Sequence, residues 1–210
     1  ETKALSEVDL DIDPGAFVSL CGPSGSGKTT LLNMIGGLDR PSSGEITVAD
    51  QRIDLMSNTE LAELRLHKVG FIFQSYNLLP VLSAQENVEF VMQLQGVQRN
   101  ERVQRARDML KAVDLAGLEH RMPGQLSGGQ QQRVAVARAI VSNPALILAD
   151  EPTANLDSKT AHGLLELMRE MNIEHGVTFI FSTHDKQVME FARRLISLQD
   201  GRIVHDQVQS

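Results

Sequence analysis

Residues 22–30 have the composition and spacing of a loop that binds a chain of phosphates. The pattern G-x-x-x-x-G-K-[ST] is satisfied by Gly22, Gly27, Lys28 and Thr29. Glycines let backbone N–H groups approach phosphate oxygens, while Lys28 would bridge the β- and γ-phosphates and the Thr29 hydroxyl would ligate Mg²⁺. An ordinary Gly/Ser loop can match the bare pattern, but an apolar strand before it and a helix after it favour phosphate binding. The predicted nucleotide contacts in this loop are Gly22, Pro23, Ser24, Gly25, Ser26, Gly27, Lys28, Thr29 and Thr30.

A pair of carboxylates follows a short apolar run. This arrangement predicts groups that bind a metal ion and activate water beside the phosphates. Residues 146–149 are apolar, and Asp150 and Glu151 come directly after them. Asp150 could there reach a metal ion bound with the phosphates, and Glu151 could act as the base that orients an attacking water. Such a pair can also simply end a strand before a proline. Together with the phosphate loop, it indicates phosphoryl transfer.

Residues 127–130, far along the chain from the first loop, predict a further phosphate site. Ser127 stands at the expected N-cap of a helix, and Gly128 and Gly129 follow it. Their amides would lie at the positively polarised end of that helix, where anions bind. Taken alone, Ser-Gly-Gly-Gln can equally be a flexible hinge.

The elements that must position these residues alternate between strand and helix. Continuous apolar runs predict parallel strands covered on both faces, and capping boxes predict where helices begin. Asp200-Gly201 predicts a hairpin. The predicted strands are 17–21, 45–49, 69–73, 145–149, 177–181, 195–198 and 202–204, and the helices are 28–35, 57 to about 67, and 158–174.

Residues 83–142 differ, because they carry helix signals and no convincing strand. The predicted helices begin at Ser83, cover 101–113 and cover 127–141. The pattern indicates a helical insertion in an otherwise alternating α/β chain.

Composition narrows the class of protein. The 210 residues suit one large domain. The net charge of −7 argues against nucleic acid as a partner. Cys21, the single cysteine, is interpreted as a small buried hydrophobe and implies no oxidising compartment. No run approaches the roughly 18 apolar residues of a membrane span, so a partner chain would have to supply any spanning helices.

Leu126-Ser127-Gly128-Gly129-Gln130 resembles the signature motif of ATP-binding-cassette (ABC) proteins. Gln74 resembles the glutamine-loop residue of that family, Asn155-Leu156-Asp157 most of its aspartate loop, and His184 its switch histidine. The motifs occur in the family order over nearly the whole chain.

The resemblance implies an α/β fold with a P-loop NTPase (RecA-like) core and a mainly parallel sheet. An N-terminal antiparallel β subdomain and an inserted α-helical subdomain complete it. The chain is then a single nucleotide-binding domain, 1–210. The ATPase core with the β subdomain takes 1–77 and 143–210, and the helical subdomain with the signature motif takes 78–142.

The resemblance also implies an ATPase that binds ATP and Mg²⁺ at a composite site. One ATP would lie between residues 22–30 of one copy and 127–130 of a second copy. The implied catalytic residues are Glu151, His184 and Lys28. The implied metal ligands are Thr29, Gln74 and Asp150. Further nucleotide contacts are Gln74, Ser127, Gly128, Gly129 and Gln130.

One feature of the family is not found. Its members place an aromatic residue upstream of the phosphate loop to stack on adenine, and here the only aromatic before Gly22 is Phe17, which reads as a core residue. Either the stacking residue lies before Glu1 or the base is held weakly.

Residues 69–80 and 148–157 resemble the lipoprotein-release and macrolide-export branch. This implies a peripheral ATPase at the cytoplasmic face of the inner (plasma) membrane, working with integral membrane permease subunits in export or extraction. An amino-acid-type importer and a force-transmitting regulator without a transported substrate stay open. A DNA-repair or translation ATPase is disfavoured by the absence of a coiled-coil insertion and of a basic excess. A scaffold without turnover is disfavoured by Glu151 and His184.

Residues 78–82 form an apolar segment directly after the glutamine-loop region. It either lines a groove that receives a cytoplasmic helix of the membrane subunit, or acts as a hydrophobic staple inside the helical subdomain.

Overall fold

The computed structural model describes residues 4–209, apart from the side chain of Gln187. The predicted domain limits at residues 1 and 210 lie outside the described residues. The strands are β1 Phe17–Cys21, β2 Thr47–Val48, β3 Gln51–Arg52, β4 Val69–Phe73, β5 Leu146–Asp150, β6 Thr178–Thr183, β7 Arg194–Gln199 and β8 Arg202–Val208. The α-helices are α1 Lys28–Ile35, α2 Asn58–Lys68, α3 Ala84–Leu94, α4 Arg99–Ala112, α5 Gly128–Ile140, α6 Ser158–His175 and α7 Lys186–Met189.

A six-stranded sheet with the order β4-β5-β6-β1-β7-β8 forms the centre of the fold. Its first five strands are parallel, and β8 returns antiparallel to β7 through the hairpin predicted at Asp200-Gly201. A separate antiparallel pair joins β2 to β3. The predicted strand 45–49 is shorter in the structure because Ala49 and Asp50 have positive φ angles of 48° and 62° and form the turn of this hairpin.

The register of the parallel strands aligns their carboxyl ends. Phe73 of β4 lies opposite Asp150 of β5, and Asp150 lies opposite Ser182 of β6. Cys21, the last residue of β1, lies opposite Thr183 of β6. Every residue that follows these four strands therefore emerges at one edge of the sheet.

Apolar side chains alternate between the two faces of the sheet, as the pleat requires. Phe17, Phe179 and Phe181 belong to the core cluster that includes residues of α5 and α6. Val18 and Leu20 belong to the opposite cluster, which includes residues of α1 and α2. Both faces are thus covered, as expected for parallel strands. Phe17 is 1% exposed, which confirms it as a core residue.

The helical stretch predicted at 83–142 contains α3, α4 and α5, and no strand is found between these residues. The capping boxes predicted from Ser57 and Ser83 are formed, and the predicted N-cap Ser127 forms a third; each has both reciprocal hydrogen bonds. These caps set where α2, α3 and α5 begin.

Helix α5 lies unusually close to β4. A Cβ atom added at Gly70 would lie 2.6 Å from the carbonyl oxygen of Ala139. Only glycine permits this approach, which places the signature helix beside the strand that leads to Gln74.

Gly70→Ala should therefore destabilise the fold by about 1–3 kcal/mol, since neither backbone can give way easily. Gly124→Ala is the matched control, because nothing lies within 4 Å of the added Cβ there. Urea unfolding of both variants measures the difference. Equal stability of the two would show that α5 and β4 separate at little cost.

Candidate functional site

The predicted phosphate loop follows β1, and the surrounding backbone requires glycine at two of its positions. Gly22 has φ +142°, and a Cβ there would lie 2.1 Å from the Leu198 carbonyl oxygen. Gly27 has φ +103°, and a Cβ there would lie 2.8 Å from the Ala4 carbonyl oxygen. At these two positions the loop follows a path that only glycine permits, and α1 begins within the loop at Lys28.

The Lys28 ammonium group lies within this loop. Its Nζ donates hydrogen bonds to the carbonyl oxygens of Gly22 at 2.8 Å and Pro23 at 3.0 Å. The residue is 8% exposed. The positive charge is thus surrounded by the backbone of the loop. Phosphate oxygens could replace the two carbonyl oxygens as acceptors of its hydrogen bonds.

Oxygen ligands of the kind Mg²⁺ prefers come together between α1 and β5. The Thr29 hydroxyl lies 3.3 and 3.2 Å from the two carboxylate oxygens of Asp150. Hydroxyl and carboxylate oxygens at one point fit a hard cation that keeps further oxygens from phosphate and water. Gln74 follows β4, and among the described residues its side chain makes no hydrogen bond to Thr29 or Asp150.

Glu151 and His184 form a pair at the ends of β5 and β6. The His184 Nδ1 atom lies 2.8 Å from the Glu151 Oε1 atom. The Glu151 side chain is 20% exposed and that of His184 is 69% exposed. The imidazole can therefore orient the carboxylate while it keeps its other nitrogen available to a ligand.

The backbone at Glu151 is itself unusual. Its φ is +48°, a left-handed conformation that a residue with a Cβ rarely adopts. Its N–H donates to Ser182 Oγ at 3.1 Å, and the same hydroxyl donates to Asp150 Oδ1. One buried serine thus positions both carboxylate residues.

The glutamine loop is tied to the aspartate loop through the backbone. The carbonyl oxygen of Gln74 accepts a hydrogen bond from Asn155 Nδ2 at 3.0 Å. Beyond Asn155, Asp157 caps α6 by accepting from the N–H groups of Lys159 and Thr160. Hydrogen bonding from Thr160 holds the pKa of the Asp157 carboxyl below its ordinary value.

The signature segment begins α5 with little room around its glycines. Ser127 Oγ accepts from the N–H of Gln130 at 3.2 Å, and Gln130 Oε1 accepts from the N–H of Ser127 at 2.9 Å. A Cβ at Gly129 would lie 2.4 Å from Thr160 Cγ2. The amides of Gly128 and Gly129 stand at the N-terminal end of the helix, where backbone donors have no partner within the helix. This is the geometry of an anion site.

A protein-family model described as "ABC transporter" matches residues 5–154. The chain belongs to this family. Its cassettes bind ATP with Mg²⁺ and hydrolyse ATP, so the chain is an ABC-type ATPase, as the motifs predicted.

Curated relatives and a solved cassette agree with this assignment. An uncharacterised ABC transporter ATP-binding protein of Thermotoga maritima is 46% identical, over 97% of this chain and 86% of that protein. The macrolide export ATP-binding/permease protein MacB of Hyphomonas neptunium is 47% identical over 98% of this chain, which spans 32% of that longer protein. The ATP-binding cassette MJ0796 of Methanocaldococcus jannaschii, solved as a dimer bound to ADP and Pi, matches with TM-score 0.89 and 44% identity, over 98% of this chain and 90% of that one.

The two segments predicted to bind phosphate stand apart within one chain. The loop 22–30 follows β1, whereas Gly128 lies against Tyr76 in the loop after β4. Strands β1 and β4 are three strand spacings apart in the sheet, roughly 14 Å. The signature segment, beyond β4, therefore lies well away from the loop that follows β1 in the same chain.

The structure brings most of the predicted site residues of the cassette to one sheet edge. Asp150 ends β5 there, and the loop 22–30, Gln74, Glu151 and His184 follow strands at the same edge. Residues 127–130 lie beyond β4, at the start of α5.

Sequence reasoning did not assign Ser182, which positions Asp150 and Glu151. A serine within an apolar strand carries no signal by itself. Its role depends on β6 lying next to β5, so that Ser182 stands opposite Asp150. Gln132 was missed for the same reason: its side-chain amide donates to the Pro152 carbonyl oxygen at 2.6 Å, twenty residues away in sequence.

None of the helices in residues 4–209 combines the length and the apolar character that crossing a bilayer requires.

Ser182→Ala should lower both folding stability and ATP turnover. The N–H of Glu151 loses its acceptor, and the Asp150 carboxylate loses a donor. Hydrogen bonds to charged groups contribute about 1.5–3 kcal/mol. Ser19→Ala is the matched control, since Ser19 is equally buried in neighbouring β1 and its hydroxyl has no partner among the described residues. Thermal unfolding and phosphate release measure the two effects. Equal behaviour of both variants would contradict the role of Ser182.

Proposed function

We propose that this chain is the ATPase subunit of a membrane ABC transporter complex that powers the export or extraction of a substrate through partner membrane subunits. Two copies enclose two ATP molecules, and hydrolysis lets the pair reopen. The observation that carries the proposal is the contact between Glu151 and His184 at the same sheet edge as Lys28.

In this proposal Glu151 is the general base of hydrolysis. Its carboxylate accepts a proton from water as the water oxygen attacks the γ-phosphorus and the bond to the β–γ bridging oxygen breaks, which releases ADP and phosphate. His184 orients the carboxylate and contacts the γ-phosphate. The 2.8 Å distance between the two side chains supports this division of roles.

Lys28 stabilises the charge of the β- and γ-phosphates. Thr29 and Asp150 would hold Mg²⁺, with Gln74 as a further ligand, and the short separation of Thr29 from Asp150 fits an ion between hydroxyl and carboxylate oxygens. When bound, the ion would neutralise charge on the phosphate oxygens.

The second copy completes the site. The amides of Gly128 and Gly129 would contact the γ-phosphate of ATP held on residues 22–30 of the partner subunit. The separation of roughly 14 Å across the sheet supports this arrangement. The dimeric form of the Methanocaldococcus cassette, bound to ADP and Pi, is a further argument for it.

Partner permease subunits would bind at an apolar surface on the helical part of the chain. Val81 is 78% exposed and Leu94 is 58% exposed, and Leu79 and Phe90 are exposed as well. Phe90 and Leu94 are four positions apart and therefore share one side of α3. Asn87, also on α3, holds the backbone of Leu79 with hydrogen bonds of 2.8 and 3.1 Å. Exposed apolar surface of this kind indicates a docking site.

In this proposal the chain lies peripherally at the cytoplasmic face of the inner (plasma) membrane. The relative MacB supports the link to a permease, because its name joins ATP binding with a permease.

Glu151→Gln should bind ATP and accumulate as a stable dimer, because the amide keeps the shape of the carboxylate but cannot accept the proton. Phosphate release should fall by about 100-fold or more, in the range expected for loss of general-base catalysis. Light scattering after size exclusion with ATP measures the dimer. Undiminished turnover would contradict the base assignment.

Lys28→Ala is the control for nucleotide binding. It removes the charge inside the loop, so the affinity for ATP itself should fall and no ATP-dependent dimer should form. Unaltered ATP affinity would show that residues 22–30 do not bind the phosphates.

Val81→Asp should abolish association with the membrane partner while ATP binding is retained, because a charge enters the apolar surface. Ile173→Asp is the matched control, since Ile173 is 61% exposed but lies on α6. Co-purification from detergent-solubilised membranes of the source cells, followed by mass spectrometry, measures the association. A Val81→Asp chain that still carries a multi-spanning membrane protein would contradict the docking surface.

A further inference from the structure

Arg138, in the last turn of α5, forms hydrogen bonds to the loop after β4, although the two are about sixty residues apart in sequence. Its Nη1 donates to the Asn77 carbonyl oxygen at 2.6 Å, and its Nη2 donates to the Tyr76 carbonyl oxygen at 3.0 Å. Within the described residues no carboxylate forms an ion pair with it. Burial lowers the pKa of the Arg138 guanidinium. A partly buried cation thus has backbone carbonyls as its acceptors, which makes the contact specific to the shape of this loop.

The loop needs such an anchor. Tyr76 and Asn77 have φ angles of +60° and +48°, and two consecutive left-handed residues with side chains persist only where their surroundings hold them. The N–H of Tyr76 donates to the Phe73 carbonyl oxygen at 3.1 Å, which closes the turn directly around Gln74. The position of Gln74 therefore depends on the conformation that Arg138 stabilises.

The other end of Tyr76 reaches the signature segment. A Cβ at Gly128 would lie 2.9 Å from the Tyr76 hydroxyl oxygen. Gly128 and Arg138 are ten positions apart on α5, which is about 15 Å along the helix axis. Long side chains on a helix point toward its N-terminus, so Arg138 extends along α5 toward Gly128. Tyr76 lies along α5 with its carbonyl held by Arg138 and its hydroxyl against Gly128.

We propose that Arg138 is a positioning residue of the composite ATP site: by holding Tyr76 along α5, it keeps the glutamine loop and the signature segment 127–130 in one fixed arrangement. This inference rests on the proposed dimer. The glutamine loop lies at the ATP of its own chain, and the signature segment at the ATP of the second copy. Through Tyr76, a displacement of one loop is passed to the other.

The effect of losing Arg138 should be confined to this link. Helix α5 keeps two other attachments to the strand ends, the close approach of Gly70 to Ala139 and the hydrogen bond from Gln132 to Pro152. Lys28 and the loop around it are on the far side of β5 and β6. ATP affinity of the single chain, which depends mainly on Lys28 and its loop, should therefore fall much less than dimer formation.

The experiment uses the Glu151→Gln chain, in which ATP-dependent dimerisation is measured without turnover. Arg138→Met, Arg138→Lys and Tyr76→Ala are added separately, with Arg169→Met, an exposed arginine on α6, as the matched control. Arg138→Met and Tyr76→Ala should weaken dimerisation about 10- to 100-fold, within the usual range of coupling between two binding sites. Arg138→Lys should restore part of the loss, because an ammonium group can still donate to a carbonyl. Binding of a fluorescent ATP analogue to the monomer should fall far less than dimerisation in the three loop variants and stay unchanged in Arg169→Met.

A double variant separates positioning from a general loss of stability. If both residues act through one link, Arg138→Met combined with Tyr76→Ala should be no worse than either alone. Additive losses, or dimerisation of Arg138→Met equal to that of Arg169→Met, would overturn the inference and leave the proposed function standing. If Arg138→Met does not fold, Tyr76→Ala and Arg138→Lys decide it by the same measurements. If Glu151→Gln forms no dimer with ATP, the proposed function and this inference fail together.

Discussion

The in-register pairing of β4, β5 and β6 is the constraint on which the site depends. It brings Phe73, Asp150 and Ser182 into one row, so the residues that follow each strand are neighbours whatever their separation in sequence. Slipping one strand by a single residue would turn its apolar side chains to the opposite face, where they no longer match the covering helices. The burial of the two apolar clusters therefore keeps the site residues at the strand ends aligned.

Helix α5 extends this frame beyond the sheet. It begins at the signature segment, contacts β4 through Gly70 and reaches Pro152 through Gln132. Each attachment ends at backbone, which moves less readily than a side chain. A helix held in this way can present Gly128 and Gly129 to a second subunit in a defined orientation, so the signature segment acts as part of a rigid body.

Local signals allowed most of the fold to be predicted. The bounds of α1 and β4 follow from breakers and apolar runs, and the three serine capping boxes define helix starts. Long-range partners could not be predicted, because Ser182 and Arg138 acquire their roles only when strand order and helix packing are known. The two alternatives for the segment 78–82 could not be separated from the sequence, because its residues differ in burial: Leu78 packs against the core, whereas Val81 is exposed. A run of apolar letters does not show which of its members face outward.

Backbone conformation and proposed chemistry favour different residues at position 151. The local conformation, φ +48°, favours glycine, and a non-glycine residue there carries strain of about 1–3 kcal/mol. The chemistry favours a carboxylate. In the proposed mechanism Glu151 is the general base, so a chain selected for thermal robustness alone would drift toward glycine at this position and lose that base. The glutamate is then retained at a cost in folding stability.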